Sequence, residues 1–346
     1  MIDRDRWGLR GQVRSCRLQR TWFSRRCGAD LCETEERGDT TIVEFRPDGS
    51  LARRWQHNPD GSEWTSMYEY NGAGQLETVR TENGASQFDV QRYEYDSAGR
   101  LVRLVALTPD GRDRIAEGYE YDATGRKRKT LYVDLAVQRP NTMYCWGVEG
   151  TDCVYSAPGA TTLTTFHNAR DQPTELLFHD SAGRVLSRVE FVYDEAWHLL
   201  EEGQTMVAET LPPGMLTGMN PAQLQALGAL LGTRRLHRYD AHGRRIETSS
   251  SMFGQLCRNR KTMAYNDRGD QTEEISEDEE RDYSIDDQGR LSESTTRETV
   301  SRSETRFHYD YDMRGNWIKK TVEGRGGTDQ QFSVSGIEQR ILAFAD

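Results

Sequence analysis

The sequence has few prolines, no long apolar run and none of the common catalytic signatures. Nine prolines in 346 residues exclude a collagen-like or proline-rich rod. No apolar stretch approaches the roughly 20 residues that a membrane-spanning helix needs, and a mean hydropathy of -0.83 argues against large buried helical domains. The HExxH, GxSxG and P-loop patterns are missing, as are CxxC pairs, so no zincin, hydrolase elbow, nucleotide cradle or zinc ribbon is indicated. A formal net charge of -11 weighs against nucleic acid and anionic membrane surfaces as main partners. Neither nucleic-acid binding nor membrane insertion is expected, and no cofactor is indicated.

What is present is aromatic and turn-forming. Fifteen Tyr, ten Phe and seven Trp accompany 31 Gly, a supply that disordered polar chains lack. The chain also repeats itself. Tyr68-Glu-Tyr70-Asn-Gly-Ala-Gly74-Gln-Leu76 is followed by Tyr93-Glu-Tyr95-Asp-Ser-Ala-Gly99-Arg-Leu101 and by Tyr119-Glu-Tyr121-Asp-Ala-Thr-Gly125-Arg-Lys127. Shorter copies end at Gly183, Gly243, Gly269, Gly289 and Gly315. In each unit the Tyr-x-Tyr pair sets two rings on one strand face, Asp or Asn supplies an Asx turn, and Gly takes the positive φ that closes it. Asp96, Gly99, Asp122, Gly125, Asp240, Gly243, Asp312 and Gly315 are therefore turn-forming residues. Strand and turn alternating this way predict an all-β fold, an antiparallel β-meander or spiral sheet held by neighbour contacts.

The Tyr-Asp-x-x-Gly-Arg-Leu anchor resembles the YD repeat of RHS and teneurin-type proteins, over roughly Phe45 to Trp317. The resemblance implies a spiral β-sheet. Tyr311-Asp-Met-Arg-Gly-Asn-Trp317, followed by Arg340-Ile-Leu-Ala-Phe344, is similar to the end of short bacterial RHS-repeat proteins without a toxin domain. A remnant of an RHS toxin-delivery shell is one function the resemblance implies.

Two stretches interrupt the rhythm. About 131–168 reads as a hairpin insertion, with Cys145 and Cys153 as a disulfide candidate across it. About 203–232 reads as one helix, because Asn220 can cap it, Pro221 suits its first turn, and Leu224, Leu227 and Leu231 recur at helical spacing. Residues 1–44, with Cys16, Cys27 and Cys32, read as an N-terminal cap segment ahead of a repeat domain over 45–346. Six cysteines permit 15 pairings, and spacing selects none beyond Cys145 with Cys153. Disulfides point to an extracellular or periplasmic protein, although the first residues form no secretion signal.

Catalytic candidates are sparse. His167, Asp171, His179 and Asp180 are the most suggestive group, which a sheet could gather as a base or as metal ligands. The acidic run Glu277–Asp282 lacks the spacing of a calcium loop and reads as a solvated turn. Surface remains: Trp55, Trp64, Trp146 and Trp197 are candidates for stacking on sugars or docking proteins. The leading expectation is a non-catalytic, exported scaffold that binds a protein or glycan at the cell envelope. Self-association through edge strands, and a hydrolase with a His/Asp site, are the other expectations.

Overall fold

The computed structural model describes residues 3–27, 32–83, 87–107, 112–132, 146–147, 154–155, 157, 159–207, 232–252, 257–285, 291–326 and 331–345. The Cys145 to Cys153 bridge, the helix predicted around Leu224 and the Gly289 turn lie outside the described residues.

One turn, used repeatedly, builds the molecule. Eleven described turns share a pattern in which the first residue's N–H donates to the carbonyl four residues on, as Asp96 to Arg100 does at 2.9 Å. The fourth residue's N–H returns to the carbonyl of the first. That fourth residue has positive φ at Gly49, Gly61, Gly74, Gly99, Gly125, Gly183, Gly243, Gly269 and Gly315. This is a type I turn closed by a left-handed residue, and the extra residue becomes a bulge in the following pair. The carboxylate of Asp96 accepts from the N–H groups of Ala98 and Arg100, at 3.0 and 2.8 Å. Asp122, Asp180, Asp240 and Asp312 accept likewise at positions two and four.

The strands between these turns are β1 (Val13–Cys27), β2 (Cys32–Phe45), β3 (Leu51–His57), β4 (Glu63–Tyr70), β5 (Leu76–Asn83), β6 (Gln87–Tyr95), β7 (Leu101–Leu107), β8 (Asp113–Tyr121) and β9 (Lys127–Tyr132). A separate two-stranded ribbon pairs β10 (Trp146–Gly147) with β11 (Val154–Tyr155). Then come β12 (Thr162–His167), β13 (Pro173–His179), β14 (Val185–Tyr193), β15 (Leu199–Met206), β16 (Thr233–Tyr239), β17 (Arg245–Met252), β18 (Cys257–Tyr265), β19 (Gln271–Ile285), β20 (Leu291–Tyr311), β21 (Trp317–Gly326) and β22 (Ser333–Phe344). Twenty of these form one sheet. Strands adjacent in sequence pair antiparallel, and β9 pairs with β12 across the excursion that carries β10 and β11.

All-β architecture is as the sequence predicts, but the sheet is not an open meander or a spiral. β1 pairs on one side with β2 and on the other with β22, with Leu18 opposite both Thr41 and Arg340. With β1 between β2 and β22, neither the first nor the last strand leaves an edge. Residues 13–27 and 32–45 are full members of this sheet, with Cys27 opposite Cys32 in the backbone register. The acidic run from Glu277 lies inside β19 rather than in a turn, where Glu277 pairs with Arg302 at 2.9 Å.

The chain divides into two compact units. Unit 1 is Met1–Arg114 with Gln271–Glu273 and Glu304–Asp346; unit 2 is Ile115–Asp270 with Glu274–Ser303. In unit 1 a small core joins Leu9, Val13, Cys16, Val43 and Phe45. From Leu51 to Leu107, Val105 is the sole buried side chain among the described residues, so this part of the sheet is a single layer without a packed face. In unit 2 the excursion folds back: Tyr155, Ala157 and Ala160 cover Leu163, Leu176, Phe178, Val189 and Phe191. The Tyr155 hydroxyl donates to the buried carboxylate of Glu202, which Arg235 and His237 approach to 3.7 and 3.5 Å. Burial, with Glu202 and Tyr239 nearby, pushes the Tyr193 phenol up to about 12.

A sheet with so little core needs another tie. At five Asx turns the tyrosine that precedes the turn reaches back one repeat and donates its hydroxyl to the residue just after the previous turn of the same end. Tyr70 bonds Leu51 O at 2.9 Å, Tyr95 bonds Leu76 O at 2.7 Å, Tyr193 bonds Pro173 O at 2.7 Å, Tyr239 bonds Leu199 O at 3.0 Å and Tyr265 bonds Arg245 O at 2.6 Å. In the last described repeat Tyr309 takes the role, on Gln271 O at 3.0 Å. Turns are also tied forward. Gln75 Nε2 donates to Gly99 O, Gln172 Nε2 to Trp197 O and Arg244 Nη1 to Asn266 O, at 2.7, 3.0 and 3.1 Å. In unit 1 Asn316 completes the series on Arg10, donating to its carbonyl at 3.2 Å and accepting from its N–H at 2.5 Å.

Tyr265→Phe is expected to lower the unfolding free energy by about 1 kcal/mol, the net worth of one hydrogen bond, read as a lower urea midpoint at unchanged slope. A wild-type midpoint would show that these hydroxyls do not tie the repeats. Turn carboxylates predict an acid limit as well. The N–H of the residue four positions on, with its side chain, holds Asp96, Asp180, Asp194 and Asp240 below the ordinary 3.8. A depressed carboxyl contributes stability above the unfolded pKa and loses it as pH falls through the folded one. Stability is therefore expected to be flat above about pH 5 and to decline below 3.8. Asn at all four positions should flatten that decline in a urea series across pH.

Candidate functional site

Two turns of unit 2, at 168–172 and 194–198, follow one another on the same end of the sheet and depart from the repeat pattern. Tyrosine precedes seven of the eleven described turns; the turn at 168–172 instead follows His167, as those at 58–62 and 180–184 follow His57 and His179 and that at 46–50 follows Phe45. Where nine turns place glycine, the turn at 168–172 has Asp171 at φ 63 and the turn at 194–198 has Trp197 at φ 69. Neither turn stands out as a repeat in the sequence, because both lack the glycine. Both nevertheless make the same hydrogen bonds, Asp171 N to Asn168 O and Trp197 N to Asp194 O at 3.0 Å each.

His167 has the shorter side chain at a tyrosine position, and a cavity of about 510 Å³ opens beside it. Its walls come from two turns and the strands they join: Glu120, Tyr121, Asp122, Arg126, Lys127 and Arg128 on one side, Phe166, His167, Asn168 and Thr174 on the other. The imidazole bonds the backbone of Lys127, the residue a repeat tyrosine would reach. Nδ1 is buried without a hydrogen-bond partner. Burial pushes the His167 pKa below its ordinary 6.5, the Lys127 ammonium adds to the effect and Asp171 opposes it, so the ring is neutral at pH 7.

Every cation in the wall holds a carboxylate. Arg126 Nε lies 2.8 Å from Asp122 Oδ2, Lys127 Nζ lies 2.5 Å from Asp171 Oδ1, and Arg128 pairs with Glu120 directly across β8 and β9. The cavity thus alternates donors with acceptors, carries little net charge and holds the Phe166 and Tyr121 rings. Its volume suits a small ligand.

Trp197 stands on the next turn. Gln172 Nε2 donates to its carbonyl, and the Arg170 guanidinium lies 4.6 Å from its ring centroid. A non-glycine residue in the left-handed region costs roughly 1–2 kcal/mol. Trp197 is 37% exposed, so most of its surface is covered, and that burial outweighs the cost.

The predicted histidine pair is not assembled. His167 faces Pro173 and His179 faces Thr162, at opposite ends of the β12–β13 hairpin, about 17 Å apart at the rise of a strand. Asp171 is taken up by Lys127, and Asp180 by the N–H groups and guanidinium of its own turn. Among the described residues no group of three or more His, Cys, Asp or Glu side chains could hold a metal ion. The candidate tryptophans do not form one ribbon. Trp55 pairs in register with Thr65 and Trp64 with Gln56, which sends them to opposite faces. Trp55 stacks on His57 at 6.1 Å beside a smaller cavity of about 260 Å³ lined by Ile42, Glu44 and Arg53. The Trp146 side chain lies outside the described residues.

No family model matches the chain, and no curated protein does. Among solved structures it is similar to a porin-like protein from Bacteroides uniformis ATCC 8492, at 11% identity over 96% of each chain with a TM-score of 0.28. It is also similar to a domain from Vibrio parahaemolyticus described as an outer membrane lipoprotein-sorting protein, at 12% identity over 56% of this chain and 77% of that one, with a TM-score of 0.15. TM-scores this low establish no shared fold. Among the described residues no helix is long and apolar enough to cross a membrane.

Trp197→Gly restores the residue that the turn favours. Relief of the left-handed strain, about 1–2 kcal/mol, is outweighed by loss of the covered part of the indole, so the unfolding free energy is expected to fall by about 1–3 kcal/mol. Thermal or urea unfolding checks this; a variant as stable as wild type would mean that the indole packs less than its coverage implies.

Proposed function

We propose that this protein is a non-catalytic scaffold of YD repeats that binds a neutral carbohydrate at the bacterial cell envelope, in the cavity beside His167. One observation carries the reading: where histidine replaces the repeat tyrosine, a cavity opens whose wall alternates donors and acceptors around aromatic rings. Sugar hydroxyls both donate and accept, so they fit between a guanidinium and its carboxylate without leaving either charge unpaired. The C–H faces of a pyranose suit Phe166 and Tyr121. An anionic ligand would have to displace a carboxylate from each cation it used.

His167→Tyr tests the reading by returning the repeat residue. The phenol should extend along the cavity wall, reach the Lys127 carbonyl and preserve or raise stability, while weakening binding of neutral glycans built from glucose, mannose, galactose or N-acetylglucosamine. Glycan-array screening and calorimetry of both proteins measure it. Full retention of binding by His167→Tyr would place the carbohydrate elsewhere, and an array without a positive would sink the reading.

A further inference from the structure

The cavity ends at a turn whose neighbour carries the most unusual residue in the ladder. Asn168 belongs both to the cavity wall and to the turn 168–172. Arg170 of that turn lies over the Trp197 ring at 4.6 Å, and Gln172 holds the Trp197 carbonyl at 3.0 Å. The wall is thus continuous, through one turn, with an exposed indole.

The hydrogen bonds of the turn do not require that indole. The bond from Gln172 is to backbone and glycine would accept it equally; the equivalent bond from Gln75 is to Gly99. The ring is left 37% exposed rather than buried as a core residue. The left-handed backbone disfavours any side chain here, yet the largest one is present. A large side chain on a left-handed backbone is a feature that clusters at functional positions. Arg170 fixes the orientation of the ring from one face by a cation–π contact. A rigid, oriented, partly exposed indole is a platform for the apolar face of a ring-shaped ligand.

We infer that Trp197, held by Arg170, is a second sugar subsite, so that the ligand is an oligosaccharide with one unit in the His167 cavity and a neighbouring unit stacked on Trp197. The inference rests on the carbohydrate reading of that cavity. Turns at 168–172 and 194–198 set the two subsites on successive repeats, and the saccharide runs from one repeat to the next.

The experiment is calorimetric titration of the full chain with glucose, mannose, galactose and N-acetylglucosamine, and with their linear oligomers of two to six units. Wild-type protein should bind an oligomer about tenfold or more tighter than its monosaccharide, the scale of one added ring stack. Trp197→Gly should lose that advantage and keep monosaccharide binding. Trp197→Tyr, which restores a ring, should recover most of it. Arg170→Ala should lose part of it, because the indole is then no longer oriented. A cooperative thermal transition of Trp197→Gly, together with its unchanged monosaccharide binding, separates these losses from misfolding. Monosaccharide binding that depends on His167, with an oligomer advantage unchanged in Trp197→Gly, would overturn the second subsite and leave the cavity standing. If no saccharide binds the wild-type protein, the cavity reading fails and the subsite fails with it.

Discussion

Everything in this fold depends on a tyrosine hydroxyl reaching back to the carbonyl of the preceding repeat. A sheet with few buried side chains cannot rely on apolar area for cohesion, and from Leu51 to Leu107 a single described residue is buried. Backbone pairing aligns neighbouring strands but does not fix the spacing of their turns. The tyrosine does, because its ring spans one strand and its hydroxyl ends on a fixed backbone atom, as Tyr95 does on Leu76 and Tyr265 on Arg245. The Asx turn then sets where that ring begins. Both devices are local in sequence terms, separated by 19 or 20 residues in uninterrupted repeats, so the ladder tolerates insertions between its steps. Tyr239 still reaches Leu199 across 40 residues.

Charge follows the same geometry. Pairs such as Glu94 with Arg103, Arg238 with Glu247 and Lys320 with Glu338 stand directly opposite one another on adjacent strands. Each is worth little in water. Together they favour one register, since a slip of one residue would send every such side chain to the other face. In the turns, Asp takes Arg at the fourth position, as at 96–100, 122–126, 180–184 and 240–244, and Asn takes Gln at 71–75 and 168–172. Charge is thereby satisfied inside the turn, which frees the forward contact to the next one.

A uniform ladder has no site; a site arises where the ladder is allowed to fail. Histidine at 167 stands where tyrosine stands before seven of the described turns, and a cavity opens beside it. Asp171 and Trp197 occupy the position where glycine costs least, and both put a functional group where a glycine would have none: a carboxylate on Lys127 and an indole under Arg170. The stability given up at these turns is affordable because the neighbouring steps remain intact, including Tyr193 on Pro173 and Gln172 on Trp197.

The amino-acid sequence by itself determined the all-β class, the turn residues and the facing of each Tyr-x-Tyr pair, because these follow from the conformational preferences of Asp, Asn and Gly and from the two-residue period of a strand. It concealed the turns at 168–172 and 194–198, whose left-handed residues are Asp and Trp, since the search for repeats is a search for glycine. It suggested a His167 and His179 pair that register places at opposite ends of a hairpin. Closure of the sheet, with β1 between β2 and β22, also lay beyond it: a local repeat specifies how one strand meets the next, but not that the last strand returns to the first. Only the tertiary structure decided that closure and brought His167, Asp171 and Trp197 into adjoining turns, because both depend on the accumulated geometry of many repeats rather than on any one of them.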